Sequence, residues 1–227
     1  MGRRRSRSLR AKVAGLVVDG RPWSGLDAVC RVAGDEIGAE GVTLSCRQPW
    51  GLEEPIVATS RWAMNVASAQ HIVGEGPTFL ATRSSALAAV PDVLAETRRW
   101  PGFVDAMAGF GVRAVFAVPA RHDERLQGVL TLYRRHDQDW DSATTADAFA
   151  LAGIAATQLA RLAVAGSGSR DWPASRHESV RAAAQLLAAK RRITIDDALT
   201  LLRARAFASG RPLPAVALDV LVRNSAE

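Results

Sequence analysis

The sequence predicts an α+β fold: an antiparallel sheet with flanking helices, followed by a small all-α unit of three helices. Three observations predict it. Val112 to Pro119 and Leu126 to Tyr133 are β-rich apolar runs separated by the polar stretch Arg121-His122-Asp123-Glu124-Arg125, a hairpin pattern. Helical apolar periodicity lies on both sides of that hairpin. Gly166-Ser167-Gly168-Ser169 then separates an Ala-rich apolar segment from a polar one. The domains follow: a basic tail, expected to be disordered, over residues 1–12, a folded domain over 13–165, a linker over 166–175 and a helical domain over 176–227.

In the first domain, Ser24 can cap a helix running to about Ile37, with Leu26, Val29, Cys30 and Ala33 on one face. Gly41 to Cys46 and Ile56 to Thr59 read as short strands. After the hairpin, Asp141 or Ser142 starts a long helix to about Val164 that has almost no polar face. A sheet covers one side of a helix only. The remaining surface, with Phe149, Gly153, Ile154, Thr157 and Ala160, is therefore predicted to meet a second copy in a homodimer.

Three helical segments follow the linker. About Glu178 to Lys190 places Val180, Ala183, Ala184 and Leu187 on one face. Thr194-Ile195-Asp196-Asp197 resembles a capping box with Asp in place of Glu, and opens a helix that stops at Ser209-Gly210. After Pro212-Leu213-Pro214, Leu213, Val216, Ala217, Val220 and Leu221 recur with helical spacing. Phe207 is expected in the core. The unit is tiny, and its core is marginal on its own.

Composition narrows the function classes. A hydrophobic content of 48%, with no apolar run near the roughly 18 residues of a membrane span, predicts a soluble chain without membrane association. The basic start runs into Asp19 without the long apolar region of a secretory signal, so the expected location is cytoplasmic. The net charge of +6 divides into +6 for residues 1–12, −3 for 13–170 and +3 for 171–227. A basic C-terminal piece suits an anionic partner such as nucleic acid. Cys30 and Cys46 lack metal-site spacing and read as buried thiols. His71, His122, His136 and His177 are scattered, His122 and His136 in polar surroundings, and no nucleophile motif accompanies them. No catalytic residue, metal or cofactor is expected. The indoles Trp23, Trp50, Trp62, Trp100 and Trp140 are candidates either for the lining of a small-molecule pocket or for the core.

Two stretches carry a family resemblance. Val180-x-x-Ala183-x-x-x-Leu187, then Ile193-x-x-Asp196-Asp197-Ala198-x-x-x-Leu202-Arg203-x-x-Ala206, then Leu213-x-x-Val216-Ala217-x-x-Val220, resembles the ANTAR domain, the three-helix RNA-binding module of bacterial antitermination regulators. Gln185 stands where members usually carry Gly, and Ala188 where they carry Met. Residues 24–163 are similar to the GAF domains that precede ANTAR in one branch, and Gly74-Glu75-Gly76-Pro77, followed by Phe79-Leu80-Ala81, looks like a signature of that branch. By itself that motif reads as a structural loop in preference to a ligand cradle.

The resemblance implies a six-stranded antiparallel sheet, dimerisation through terminal helices, and transcription antitermination by binding paired stem-loops in a leader RNA under the control of a GAF-like sensor. It also implies that the sensor domain can take a small-molecule ligand. RNA contact is assigned to Arg181, Lys190, Arg191, Arg192, Arg203, Arg205 and Arg211, whose guanidinium groups suit phosphates and unpaired bases. Ala183, a position of the family pattern, is placed with them; Arg203 matches that pattern too, and the other cations rest on charge. The alternative for Arg203 is an ion pair within the domain to a residue such as Asp219. The competing function is a ligand-binding or scaffold protein whose tail no longer holds RNA.

Overall fold

The computed structural model describes residues 2–18, 23–47, 53–165, 178–209, 211 and 213–224. The linker of 166–175, Trp50 and His177 lie outside them. The chain forms two compact units, one of sheet and helices and one of three helices, each treated by itself.

The first unit contains α1 (Gly2–Gly15), α2 (Ser24–Ile37), β1 (Gly41–Arg47), β2 (Glu53–Ala58), α3 (Arg61–Val73), α4 (Pro77–Ser84), β3 (Ala88–Val90), α5 (Pro101–Phe110), β4 (Ala114–His122), β5 (Arg125–Arg134) and α6 (Ser142–Ala165). Its sheet has the order β2-β1-β5-β4-β3 and is antiparallel throughout. Among the described residues five strands stand where the resemblance implied six. The hairpin is tighter than its polar stretch suggested. His122 pairs with Arg125, and Asp123 and Glu124 form a two-residue turn with φ of 46° and 63°, the left-handed pair that matches strand twist. Opposite β1, Gly128 lies so close to the Ser45 carbonyl that a Cβ would stand 2.1 Å from it.

Alternation along the strands gives the sheet two covered faces. Val42, Leu44, Cys46, Phe116, Val118, Leu130 and Leu132 are buried in the main core with α1, α2 and α6. Val115 and Tyr133 join a second core with α3 and α5. The α6 residues that enter the main core are Ala148, Leu151, Ala152, Ala155, Ala156 and Leu159. Small side chains let the helix approach the sheet closely. Arg134, only 4% exposed, crosses the end of β5 and donates to the carbonyls of Ile37 (2.6 Å) and Gly38 (3.2 Å) at the C-terminus of α2. There it satisfies acceptors that the helix leaves open.

Residues 2–12 are not a disordered tail. They lie within α1, because Leu9 and Val13 are buried against α2 and α6, and cations on the adjoining flank find carboxylates. Arg5 bridges Asp147 (2.7 Å) and Glu36 (2.8 Å), and Lys12 also pairs with Glu36. The expected Ser24 cap is not made either: the α2 N-cap is Trp23, and the Ser24 hydroxyl donates to the Val18 carbonyl.

The second unit comprises α7 (Glu178–Arg191), α8 (Ile195–Ser209) and α9 (Leu213–Asn224). Its core is Val180, Ala183, Ala184, Leu187, Ala198, Leu199, Leu202, Leu213, Val216, Ala217 and Val220, almost the set read from periodicity. The cap of α8 is half a capping box. Thr194 Oγ1 accepts from the Asp197 amide (3.1 Å), but donates to the Asp197 carboxylate (2.7 Å) instead of receiving it at the Thr194 amide. Phe207 leaves the core list. It is 92% exposed, about 140° around α8 from the buried Leu202.

Candidate functional site

Under α3 and α4 the sheet carries hydroxyls. Thr43 and Ser45 of β1, Thr131 and Tyr133 of β5, and Thr78 of α4 meet Gln70 and His71 of α3, all buried or nearly so. Most of them border a small, partly open cavity of about 20 Å³, walled also by Pro55, Ala67, Phe79 and Thr82. That is room for one or two waters. Thr78 Oγ1 lies 3.0 Å from Thr131 Oγ1 and donates to Gln70 Oε1 (3.3 Å), while the Tyr133 hydroxyl lies 3.4 Å from Thr43 Oγ1. Burial pushes the Tyr133 phenol up to about 12, against opposing hydrogen bonds from Thr43, Thr78 and Thr131, so the group is a neutral donor at physiological pH. Gln70 Nε2 is buried and finds no partner among the described residues. An unmet donor of this kind costs about 1–3 kcal/mol, and a ligand that accepts from it recovers that cost.

The Gly74-Glu75-Gly76-Pro77 motif takes no part in the lining of this cavity and shapes the turn from α3 into α4. Gly74 closes α3 in the left-handed conformation, and Pro77 is pre-set for the first turn of α4. Between them Gly76 holds φ at 104°, and a Cβ there would stand 2.5 Å from the Phe103 ring. Glu75 Oε2 accepts from the Phe103 amide (3.4 Å) in the first turn of α5. Three helix ends are thus tied by four residues.

None of the described indoles lines the cavity. Trp62 packs edge-on against Tyr133 and donates to the Phe110 carbonyl, Trp140 stacks on Phe116 at 4.6 Å, and Trp100 meets Phe103 edge-on. Trp23 packs against the main core. Cys46 points to the sheet face away from the cavity, and Cys30 sits in α2, where burial pushes its thiol up strongly.

Residues 24–162 match the family model described as GAF domain, which is more than half of the chain. The chain belongs to the GAF domain family. Solved structures resemble it at low identity. One is the GAF domain of a phosphoenolpyruvate-protein phosphotransferase from Acinetobacter, with 14% identity, a TM-score of 0.57, and 72% of this chain and 96% of that one covered. The corresponding domain from Coxiella burnetii gives 15% identity, a TM-score of 0.56 and coverage of 73% and 96%. A type II free methionine-R-sulfoxide reductase from Thermoplasma acidophilum gives 14%, 0.50, and 62% and 93%. No curated protein matches the chain. The family match ends at residue 162, before the three-helix unit.

The GAF sensor domain leaves the proposed dimer residues on the outer flank of α6. Phe149 is 44% exposed, while Gly153, Ile154, Thr157 and Ala160 are half-buried. The expectation that only the sheet covers this helix needs correction, because α1 and α2 also pack on α6 and narrow the open surface.

In the three-helix unit the cations assigned to RNA contact divide by environment. Lys190, Arg191 and Arg192 are exposed at the α7–α8 corner, where Arg192 takes a left-handed φ of 54°, and Arg205 is exposed on α8. Arg181 is half-buried beside Glu178 (3.5 Å) and Gln185 (3.3 Å). Arg211 pairs at 2.6 Å with Asp219, the acidic residue offered as an example of a partner for Arg203. Arg203 is half-buried on α8; burial lowers its pKa and the Asp196 charge opposes that shift. Ala183 is fully buried in the core, which removes it from any RNA-facing surface.

Sequence reading missed the hydroxyls of the cavity. The signal was present in Val42-Thr43-Leu44-Ser45-Cys46 and Leu130-Thr131-Leu132-Tyr133, where polar residues alternate with apolar ones. Alternation usually marks a solvated face. Here α3 and α4 cover it.

Proposed function

We propose that the chain is a transcription antitermination regulator in which the GAF sensor governs RNA binding by an ANTAR-like three-helix unit. Held as a cytoplasmic homodimer, two such units would take two stem-loops of a leader RNA and stabilise that fold against a competing terminator hairpin, without catalysis. Bivalence raises the effective concentration of the second contact. The carrying observation is the exposed corner of Lys190, Arg191 and Arg192 on helices whose buried residues follow the ANTAR-like spacing. On the sensor side, a small polar ligand that accepts from Gln70 Nε2 would have to widen the 20 Å³ cavity, and α4, which forms one wall of it, is the element to move. A ligand acts here by binding one arrangement better than the other.

The test is binding of the full chain to an RNA of two hairpins, followed by anisotropy against salt. Replacing Lys190, Arg191 and Arg192 together with Gln is expected to weaken binding and reduce the magnitude of the salt slope by about 0.7–0.9 for each lost contact. The melting temperature should hold. A folded triple variant with wild-type affinity and slope would defeat the reading, and equal wild-type affinity for one hairpin and for two would defeat its bivalent form.

A further inference from the structure

α1 presents two cationic flanks with different fates. One, Arg5 and Lys12, is neutralised by Glu36 and Asp147, and the carboxyl of Glu36 is held below its usual range, by Lys12 first of all. The other, Arg4, Arg7 and Arg10, is exposed and makes no ion pair among the described residues. A spacing of three residues advances about 4.5 Å along the axis and about 300° around it, so the three guanidinium groups share an arc of roughly 120°. Between them on the same arc lie Ala11 and Ala14, both small and exposed. Leu9 and Val13 are turned away into the core, and this holds the arginine row outward.

We propose that the Arg4, Arg7 and Arg10 face of α1 is a second nucleic-acid surface that grips the phosphate backbone of the RNA. Guanidinium groups pair bidentately with phosphate, and small residues between them let the helix approach a strand closely. The charge is not shared by its surroundings, since residues 13–170 sum to −3. An anionic membrane is the rival polyanion. A helix lying in a membrane interface needs large apolar residues beside its cations, and this arc has none: the exposed Leu16, Val17 and Val18 follow the end of the helix. The proposal takes RNA as its polyanion from the function proposed above, but names a surface in the other unit.

Four full-length proteins separate the two ideas: wild type, R4Q/R7Q/R10Q, the Gln triple variant at Lys190, Arg191 and Arg192, and the combination. The probes are the two-hairpin RNA and phosphatidylserine vesicles. Loss of the α1 arginines should weaken RNA binding roughly ten- to hundredfold at 100 mM salt and lower the slope magnitude by about 2–3 in both backgrounds, with the melting temperature unchanged. R4K/R7K/R10K should restore most of the affinity, which a merely structural defect would not allow. Wild-type RNA affinity of R4Q/R7Q/R10Q in both backgrounds overturns the proposal, whatever the second triple variant does. A loss seen on vesicles and not on RNA overturns it in favour of a membrane.

Discussion

One face of the five-stranded sheet presents Val42, Leu44, Phe116, Leu130 and Leu132 to α2 and α6, while the other, one residue along in each strand, presents Thr43, Ser45, Thr131 and the Tyr133 hydroxyl to α3 and α4. Both faces are buried. They differ in what burial has to satisfy. On the first, dispersion and area removed from water suffice, and the packing is continuous. On the second, every hydroxyl needs a partner, and the Gln70 amide nitrogen is left without one beside a small void. A fold that needed only stability would line both faces alike. Polar atoms with spare capacity under a short eight-residue helix are a place where an added molecule changes the energy balance.

The largest effect should come from breaking the apolar face. Phe116, 1% exposed and stacked on Trp140, should cost about 3–5 kcal/mol as Phe116→Ala, read from the urea midpoint with an unchanged slope. A loss below about 1 kcal/mol would mean that the two faces do not differ in the way described. On the hydroxyl face, Tyr133→Phe keeps the ring against Trp62 and removes only the group near Thr43. Its expected cost is about 0.5–1.5 kcal/mol, and a loss above about 3 kcal/mol would make the hydroxyl network structural.

The smallest effect concerns the helix that closes the apolar side. Because the folded protein holds the Glu36 carboxyl below its ordinary value of 4.5, the pair with Lys12 and Arg5 stabilises fully above that value and is lost as pH falls below it. Glu36→Gln should lower stability at neutral pH by about 0.2–1 kcal/mol, measured by thermal melts, and that difference should close as pH falls below 4.5, which flattens the acid limb. An identical acid limb in the variant would assign it to other carboxylates.

What was legible in the sequence follows the same division. Apolar periodicity located α2, the hairpin, α6 and the three-helix core, since each buries a regular stripe. It failed where a tertiary partner decides. The α1 segment reads as a charged tail until Glu36 and Asp147 are brought beside it, and those carboxylates lie 31 and 142 residues from Arg5. Phe207 reads as core because aromatic residues usually are, yet it is turned about 140° around α8 from the buried Leu202. The cavity was invisible for a different reason: alternating threonines look alike beneath a helix and in water, and only the path of α3 and α4 distinguishes the two.

The pairing of Gly41 with Tyr133 in the middle of the sheet also sets a timetable. During synthesis β1 emerges early and can pair only with β2, since its other partner, β5, has not been made. At about 5–20 residues per second, the ribosome needs roughly 5–20 s to supply it. Through that interval the edge of β1 that will meet β5 stays open, and Val42, Leu44 and Cys46 have α1 and α2 but not α6 to cover them, a stretch on which a chaperone would act. The helical unit, whose packing partners all lie between Val180 and Val220, has no such wait. The nascent sensor therefore has a long exposure to misfolding, and the tail that follows it has a short one.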